Sequence, residues 1–162
     1  MHEKRIDNKF LYRALRTTEI KRCVLIPKKP SAPFAADLMF PLQFPGRFGK
    51  FSEHAVRAHQ MDSDRYPTSG VSTTPHRERA ESYAQGNRII VRIAVERLAA
   101  HGIETYRVSD YVPPELITKP EDDEVILVRP GKRYFPKAII VEFFELPIER
   151  PSARLRNPTA QR

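Results

Sequence analysis

The sequence predicts an α+β domain of short strands flanked by small helices, and three observations predict it. Fifteen prolines in 162 residues, several between residues 27 and 67, cut the chain into pieces, because proline removes a backbone donor and clashes inside a helix. Runs rich in β-branched residues at 89–95, 125–128 and 138–144 have the composition of strands. Helix-start signals stand at Ser52 and at Thr74-Pro75, each ahead of a short stretch with apolar residues three or four apart.

The elements follow in order. Phe10 to Leu15 reads as the first strand, with Phe10, Tyr12 and Ala14 on one face and Leu11, Arg13 and Leu15 on the other, which puts a guanidinium among apolar neighbours. Pro27 to Lys50 reads as loop. Ser52 is expected to cap a helix from Glu53 to Gln60 that packs through Ala55, Val56 and Ala58. A polar connection from Asp62 to Gly70 leads to a short strand, Val71 to Thr73. Thr74 at the cap and Pro75 at the first helical position predict a helix carrying Ala80, Tyr83 and Ala84 and stopped by Gly86. Ile89 to Val95 is the expected central strand, followed by a helical turn from Glu96 to His101 that Gly102 closes. A strand opens at Glu124, Arg129 to Lys132 turns the chain, and Ala138 to Phe144 is the last strand. Residues 1–148 are thus expected to form one domain, and 149–162, rich in Arg, Pro and Ser, a basic mobile tail.

Composition narrows the function. No apolar run approaches the roughly 20 residues of a membrane span, and no hydrophobic signal core follows Met1, so neither membrane insertion nor general secretion is expected. The lone Cys23 can form no internal disulfide, which points to a reducing, cytoplasmic setting, either the producing cell's or that of a cell into which the protein is delivered. The net charge of +8 is uneven: residues 1–50 carry eleven bases against four acids, whereas residues 101–150 carry seven against ten, including Glu121-Asp122-Asp123-Glu124. Such a chain is expected to attract a polyanion or phosphate ligand with one part and do carboxylate work with another.

Three features then stand in a definite order: Arg13 inside the first strand, Ser72-Thr73-Thr74 at a strand-to-helix junction, and a carboxylate cluster opening a late strand. Together, as Leu11-Tyr12-Arg13-Ala14, Gly70-Val71-Ser72-Thr73-Thr74 and Asp122-Asp123-Glu124-Val125, they resemble the cholera-toxin-like, Arg-Ser-Glu class of mono-ADP-ribosyltransferases. The likeness spans residues 10 to 146, and Pro130-Gly131, Tyr134, Phe135, Ala138 and Ile139 fit that family's turn and return strand. It implies an ADP-ribosyltransferase-like split β-sandwich, NAD+ as co-substrate and no metal.

By the same resemblance, Glu124 is the catalytic carboxylate beneath the ribose, Arg13 binds the pyrophosphate and the backbone of Ala14 holds the nicotinamide amide. Ser72 orients Glu124, Thr73 ties two strands together, and Tyr83 lies against nicotinamide, unless it is a core residue beside Ala80 and Ala84. Thr74 is a helix cap rather than a ligand. The residue two before the catalytic glutamate, which helps choose the acceptor, is Asp122 where the family has Glu or Gln. A shifted register would pair Glu121 with Asp123 instead, but the Val125–Val128 run favours Glu124. The chemistry is intelligible without the name: cleaving an N-glycoside builds positive charge on the ribose, which a fixed carboxylate stabilises, and a planar guanidinium suits a pyrophosphate.

The resemblance also implies a bacterial toxin or effector, of the kind found in toxin–antitoxin or anti-phage systems, with an antitoxin or immunity protein as partner. The acceptor is expected to be nucleic acid, since Lys21-Arg22, Lys28-Lys29 and the interleaved Arg47-Phe48-Gly49-Lys50-Phe51 suit phosphates and stacked bases. A protein side chain such as arginine is the close alternative. A non-catalytic basic nucleic-acid-binding module explains the charge but not Arg13, Ser72 and Glu124. A metal nuclease using Glu121 to Glu124 lacks further acids at separated strand starts, and His54 and His59, five apart, do not share a helical face.

Overall fold

The structure, a computed structural model, describes residues 7–32, 34, 51–61 and 68–148. Among the described residues, six strands form two antiparallel sheets. In the first, β1 (Phe10–Ala14) and β6 (Ile140–Glu145) flank β3 (Ile89–Ala94); in the second, β2 (Gly70–Thr73) and β4 (Glu104–Arg107) flank β5 (Val125–Val128). The helices are α1 (Thr17–Arg22), α2 (Phe51–Met61) and α3 (Arg77–Tyr83). This is a mixed α+β architecture with few helices, as composition predicts.

The sheets share one core. Leu11, Val91 and Ile93 of the first sheet and Val71, Val125 and Leu127 of the second are buried in one cluster with Leu25, Leu98, Phe135 and Ile139. Strand β5 is buried along its whole length, which is why Val-Ile-Leu-Val reads as continuous rather than alternating. The expectation that 89–95 is a central strand holds, since β3 pairs Arg13↔Val91 on one side and Val91↔Phe143 on the other. The sheets are also joined directly. Tyr12 and Thr74 exchange backbone hydrogen bonds of 2.7 and 3.0 Å, a single bridge between β1 and the end of β2.

That bridge corrects one expectation. Thr74 is not the cap of α3: its backbone is still in sheet-like pairing, so the helix begins only at Arg77, with His76 at the cap. At the other end α3 stops at Tyr83, before Gly86. Ser52 likewise lies inside α2, which starts at Phe51. The last strand starts at Ile140 because Lys137–Ile139 forms a 3₁₀ turn after Pro136. Helix α1 and strand β4 have no counterpart in the sequence reading. The tail expected at 149–162, the Arg47–Lys50 bases and most of the Pro27–Lys50 loop and the 62–70 connection lie outside the described residues.

Gly70 opens β2 for a steric reason. A Cβ there would stand 2.6 Å from Ile126 Cγ2 and 3.1 Å from His59 Nδ1. The glycine lets α2 close against the second sheet and fixes His59 at the edge of the cavity described next.

Candidate active site

A cavity of about 510 Å³ opens beside the Tyr12–Thr74 bridge, where the sheets diverge. Its wall contains Arg13, Ala14, Ser72, Thr73, Tyr83, Asp122 and Glu124, so all the residues singled out in the sequence come together there. Arg16, His59, Gln60 and Lys119, which the sequence reading did not assign to a site, also line it.

Arg13 projects from β1 with 15% of its side chain exposed. Its Nε and Nη2 each bond Glu19 at 3.3 Å, and its Nη1 donates to the Ser72 carbonyl at 2.8 Å. A guanidinium has five N–H donors, so two remain for a ligand. Glu19, on α1, is the fully buried counter-ion of this arrangement. Burial pushes its carboxyl up, but Arg13, the amides of Arg16 and Ile26, and the Arg16 guanidinium more than offset that and hold it below the ordinary carboxylate range. Arg16 also donates to the Ile26 carbonyl, which ties α1 to the following segment. The signal for α1 was present: Arg16-Thr17-Thr18-Glu19 has the spacing in which the third helical residue bonds back to the cap amide, and Glu19 Oε2 accepts from Arg16 N at 2.9 Å.

Glu124 lies one residue before β5, its carbonyl accepting from Val108 N at 2.9 Å. The neighbouring backbone is riveted to β2: Thr73 Oγ1 donates to Val125 O at 2.7 Å and Thr74 Oγ1 to Asp122 O at 2.6 Å. The Glu124 side chain keeps 18% exposure. Burial raises its pKa, hydrogen bonds from Ser72 and Gln60 and the charge of Arg13 pull the other way, and Asp122 adds to the rise; the net shift is upward. Gln60 Nε2 reaches Glu124 Oε2 at 2.8 Å, while Gln60 Oε1 is buried without a partner among the described residues.

His59 completes the carboxylate wall. Burial, with the charges of Arg13 and Lys28, pushes its pKa down to about 4, so the imidazole is neutral. Its two ring nitrogens engage two hydroxyls: Nε2 lies 2.8 Å from Ser72 Oγ, and Nδ1 is hydrogen-bonded to Thr68 Oγ1, which also accepts the Gly70 amide at 3.2 Å. Its Nε2 stands 3.8 Å from Glu124 Oε1, so His59 and Gln60 both border that carboxylate.

The acidic run divides three ways. Asp122 is engaged at both oxygens, by Arg79 Nε at 2.6 Å and by the Tyr83 hydroxyl, with Lys119 Nζ 2.9 Å from that same hydroxyl. Glu121 pairs with Arg79 at 3.3 Å, and Asp123, in the left-handed region at φ 44°, pairs with Arg107 at 3.0 Å. Glu121 and Asp123 are therefore tied to different arginines, and only Asp122 and Glu124 face the cavity. Tyr83 is not a core residue beside Ala80 and Ala84: it is 49% exposed, because its hydroxyl is drawn to Asp122 and Lys119 at the cavity wall. Among the described residues no group of three His, Cys, Asp or Glu is placed to hold a metal ion, and no helix is long and apolar enough to cross a membrane.

No protein-family model matches the chain, and no curated protein matches it.

Proposed function

We propose that the protein is a NAD-dependent mono-ADP-ribosyltransferase with an ADP-ribosyltransferase-like split β-sandwich, acting as a bacterial toxin or effector on a macromolecular acceptor. One observation carries the reading: Arg13, Ser72 and Glu124 line the same cavity, with the Ser72 carbonyl accepting from Arg13 Nη1 at 2.8 Å.

The residues fit the dinucleotide. A cavity of about 510 Å³ lies in the range of small-molecule sites. The two remaining Arg13 donors suit a pyrophosphate, and Tyr12, Ala14 and Leu15 give the wall apolar surface. NAD+ supplies an N-glycosidic bond whose nicotinamide departs with the bonding electrons, leaving C1′ to bond the acceptor nucleophile, which loses its proton. Glu124 holds negative charge where positive charge develops on the ribose. Gln60 holds one of its oxygens, and Gln60 and Ser72 favour the ionised form against burial. Arg13, held by Glu19, grips the phosphates from the opposite strand. The Ala14 backbone, past the Tyr12–Thr74 bridge, is the proposed nicotinamide contact, with Tyr83 at the wall beside it.

Nucleic acid is the favoured acceptor, on the charge of +8. A protein arginine is the second reading, favoured by Arg79: Asp122, two residues before Glu124, already holds a guanidinium at 2.6 Å. An antitoxin or immunity protein would be the partner that silences the activity.

Incubation with labelled NAD+ and cell extract, followed by nuclease or protease, tests the proposal. Label is expected in macromolecules and absent with Glu124→Gln, which still binds NAD+; Arg13→Ala is expected to weaken NAD+ binding. Full activity in Glu124→Gln, or intact NAD+ with every acceptor, would sink the reading. Retention of nucleic acid without nicotinamide release would favour the non-catalytic binding module.

A further inference from the structure

The arginines around the two sheets are mostly paired with carboxylates: Arg77 with Glu81, Arg88 with Glu145, Arg92 with Glu142 and Arg107 with Asp123, besides those of the cavity. One face departs from this pattern. Arg22, next to Lys21 in the last turn of α1, meets the turn that joins β5 to the 3₁₀ segment before β6, which carries Arg129, Lys132 and Arg133. The two segments touch at Tyr134: Arg22 Nη1 lies 3.2 Å from its hydroxyl, the guanidinium carbons of Arg22 and Arg133 lie 5.3 and 5.5 Å from its ring centre, and Arg129 Nη1 donates to its carbonyl at 2.7 Å. Among the described residues none of these five cations has a carboxylate partner.

We propose that this face binds the sugar–phosphate backbone of single-stranded nucleic acid and anchors the acceptor strand beside the cavity. Arg22, Arg129 and Arg133 converge on Tyr134, with Lys21 and Lys132 adjacent in sequence; cations so gathered repel one another, and a polyanion that releases its counterions relieves that repulsion. Three are arginines, whose forked donors match phosphate oxygens. The exposed large apolar residues among those described are Tyr83, Leu116, Val141, Phe143 and Ile148, none on this face. A protein interface is organised around an apolar or aromatic anchor and a membrane site around inserted apolar side chains; the aromatic of this face, Tyr134, is half-buried and already engaged by the guanidinium groups of Arg22 and Arg133, so what the face presents is charge.

Its position matters as well. Arg16 lines the cavity and Arg22 belongs to the face, and the six-residue helix between them is about 9 Å long at 1.5 Å per residue. A strand held at the face therefore runs within about one short helix of the cavity's Arg16 side, and a single strand delivers a base without opening a duplex. The anchoring role rests on the transfer reading; backbone binding does not.

The test is fluorescence anisotropy of the full chain with a labelled 20-nucleotide single-stranded RNA and the DNA of the same sequence. Both are expected to bind, with log K falling against log salt with a slope near −3.5, from about −0.7 per phosphate neutralised. The quadruple variant Lys21→Glu, Arg22→Glu, Lys132→Glu, Arg133→Glu is expected to bind at least ~100-fold more weakly at low salt, with a slope near −0.7. The corresponding quadruple Gln variant should fall between, and both should keep the parent melting temperature and the parent rate of NAD+ cleavage. Binding by the Glu variant within threefold of the parent overturns the proposal, as does equal competition by polyglutamate or equal binding to phosphatidylglycerol vesicles. If the quadruple Glu variant loses binding but labels RNA from NAD+ as fast as the parent, the anchoring role falls. If the parent binds as expected and leaves NAD+ intact, the transfer reading fails and the face stands.

Discussion

Two glutamates are treated in opposite ways: Glu19, fully buried behind Arg13, and Glu124, on the cavity wall. Glu19 is fully buried and saturated: two arginines and two backbone amides converge on it, and its pKa is lowered. Glu124 is less enclosed yet receives only Ser72 and Gln60, and its pKa is raised. The difference separates structure from chemistry. A carboxylate whose lone pairs are all taken holds the fold and aims Arg13; a carboxylate left short of donors keeps charge to spend on a ligand.

Removing Glu19 should produce the largest effect. Glu19→Ala leaves Arg13 and Arg16 without their counter-ion and exposes the amides of Arg16 and Ile26 to a cavity, which costs about 3–5 kcal/mol of stability; urea denaturation measures it. Because the folded-state pKa of Glu19 is lowered, its contribution is present above the ordinary carboxylate pKa and fades as pH falls below it. An Ala variant as stable as the parent at pH 7 would mean that Glu19 does not hold Arg13.

Next in size is His59. Its pKa falls from 6.5 to about 4 on folding, so the neutral ring stabilises the protein above pH 6.5, and that contribution is lost as pH falls toward 4. A shift of that size corresponds to on the order of 3 kcal/mol. Subtracting the stability profile of His59→Gln from that of the parent isolates it from the carboxylates, and a flat difference between pH 7 and 4.5 would contradict the neutral assignment.

Much of this contrast was legible in the chain, but unevenly. Arg13 and Glu124 carry their signals locally, since a charged residue inside an apolar strand and a carboxylate at the head of Val-Ile-Leu-Val break a pattern at one point. Ser72 and Thr73 were placed by their strand-to-helix junction. His59 and Gln60 were hidden because their meaning depends on α2 closing against β2 over Gly70, a contact between segments that no periodicity records. Glu19 was hidden by length: a six-residue helix has too few turns for an apolar stripe, and its capping spacing was the one available cue. The late start of α3 shows the reverse failure. Thr-Pro is a sound local start signal, but the bridge from Thr74 to Tyr12 outcompetes it.

Gln60 sharpens the comparison from the side of Glu124. Gln60→Ala removes one of the two donors that oppose burial at Glu124, so the carboxyl protonates more readily and the acid limb of the NAD+ cleavage profile moves to higher pH. A fall of about tenfold in kcat on that limb, shrinking toward alkaline pH, is the expected result, about 1.4 kcal/mol at most. A uniform loss across the pH range would instead indicate displaced geometry.

The smallest effect is also the most discriminating, because its sign is unusual. Glu124→Gln keeps the shape of the side chain and an oxygen for the Gln60 donor while removing a charge that burial disfavours. A group whose folded pKa is raised adds stability below its ordinary pKa and loses it as pH rises through the folded value, so the ionised Glu124 weakens the fold at neutral pH. The Gln variant should therefore melt slightly higher than the parent at pH 7.5, and the gain should vanish near pH 4, where the parent carboxyl is already neutral. Glu19→Gln, behind Arg13, should melt lower at pH 7.5. Loss of stability at both positions would mean that Glu124 is as fully paired as Glu19, and the distinction between a structural and a chemical carboxylate would collapse.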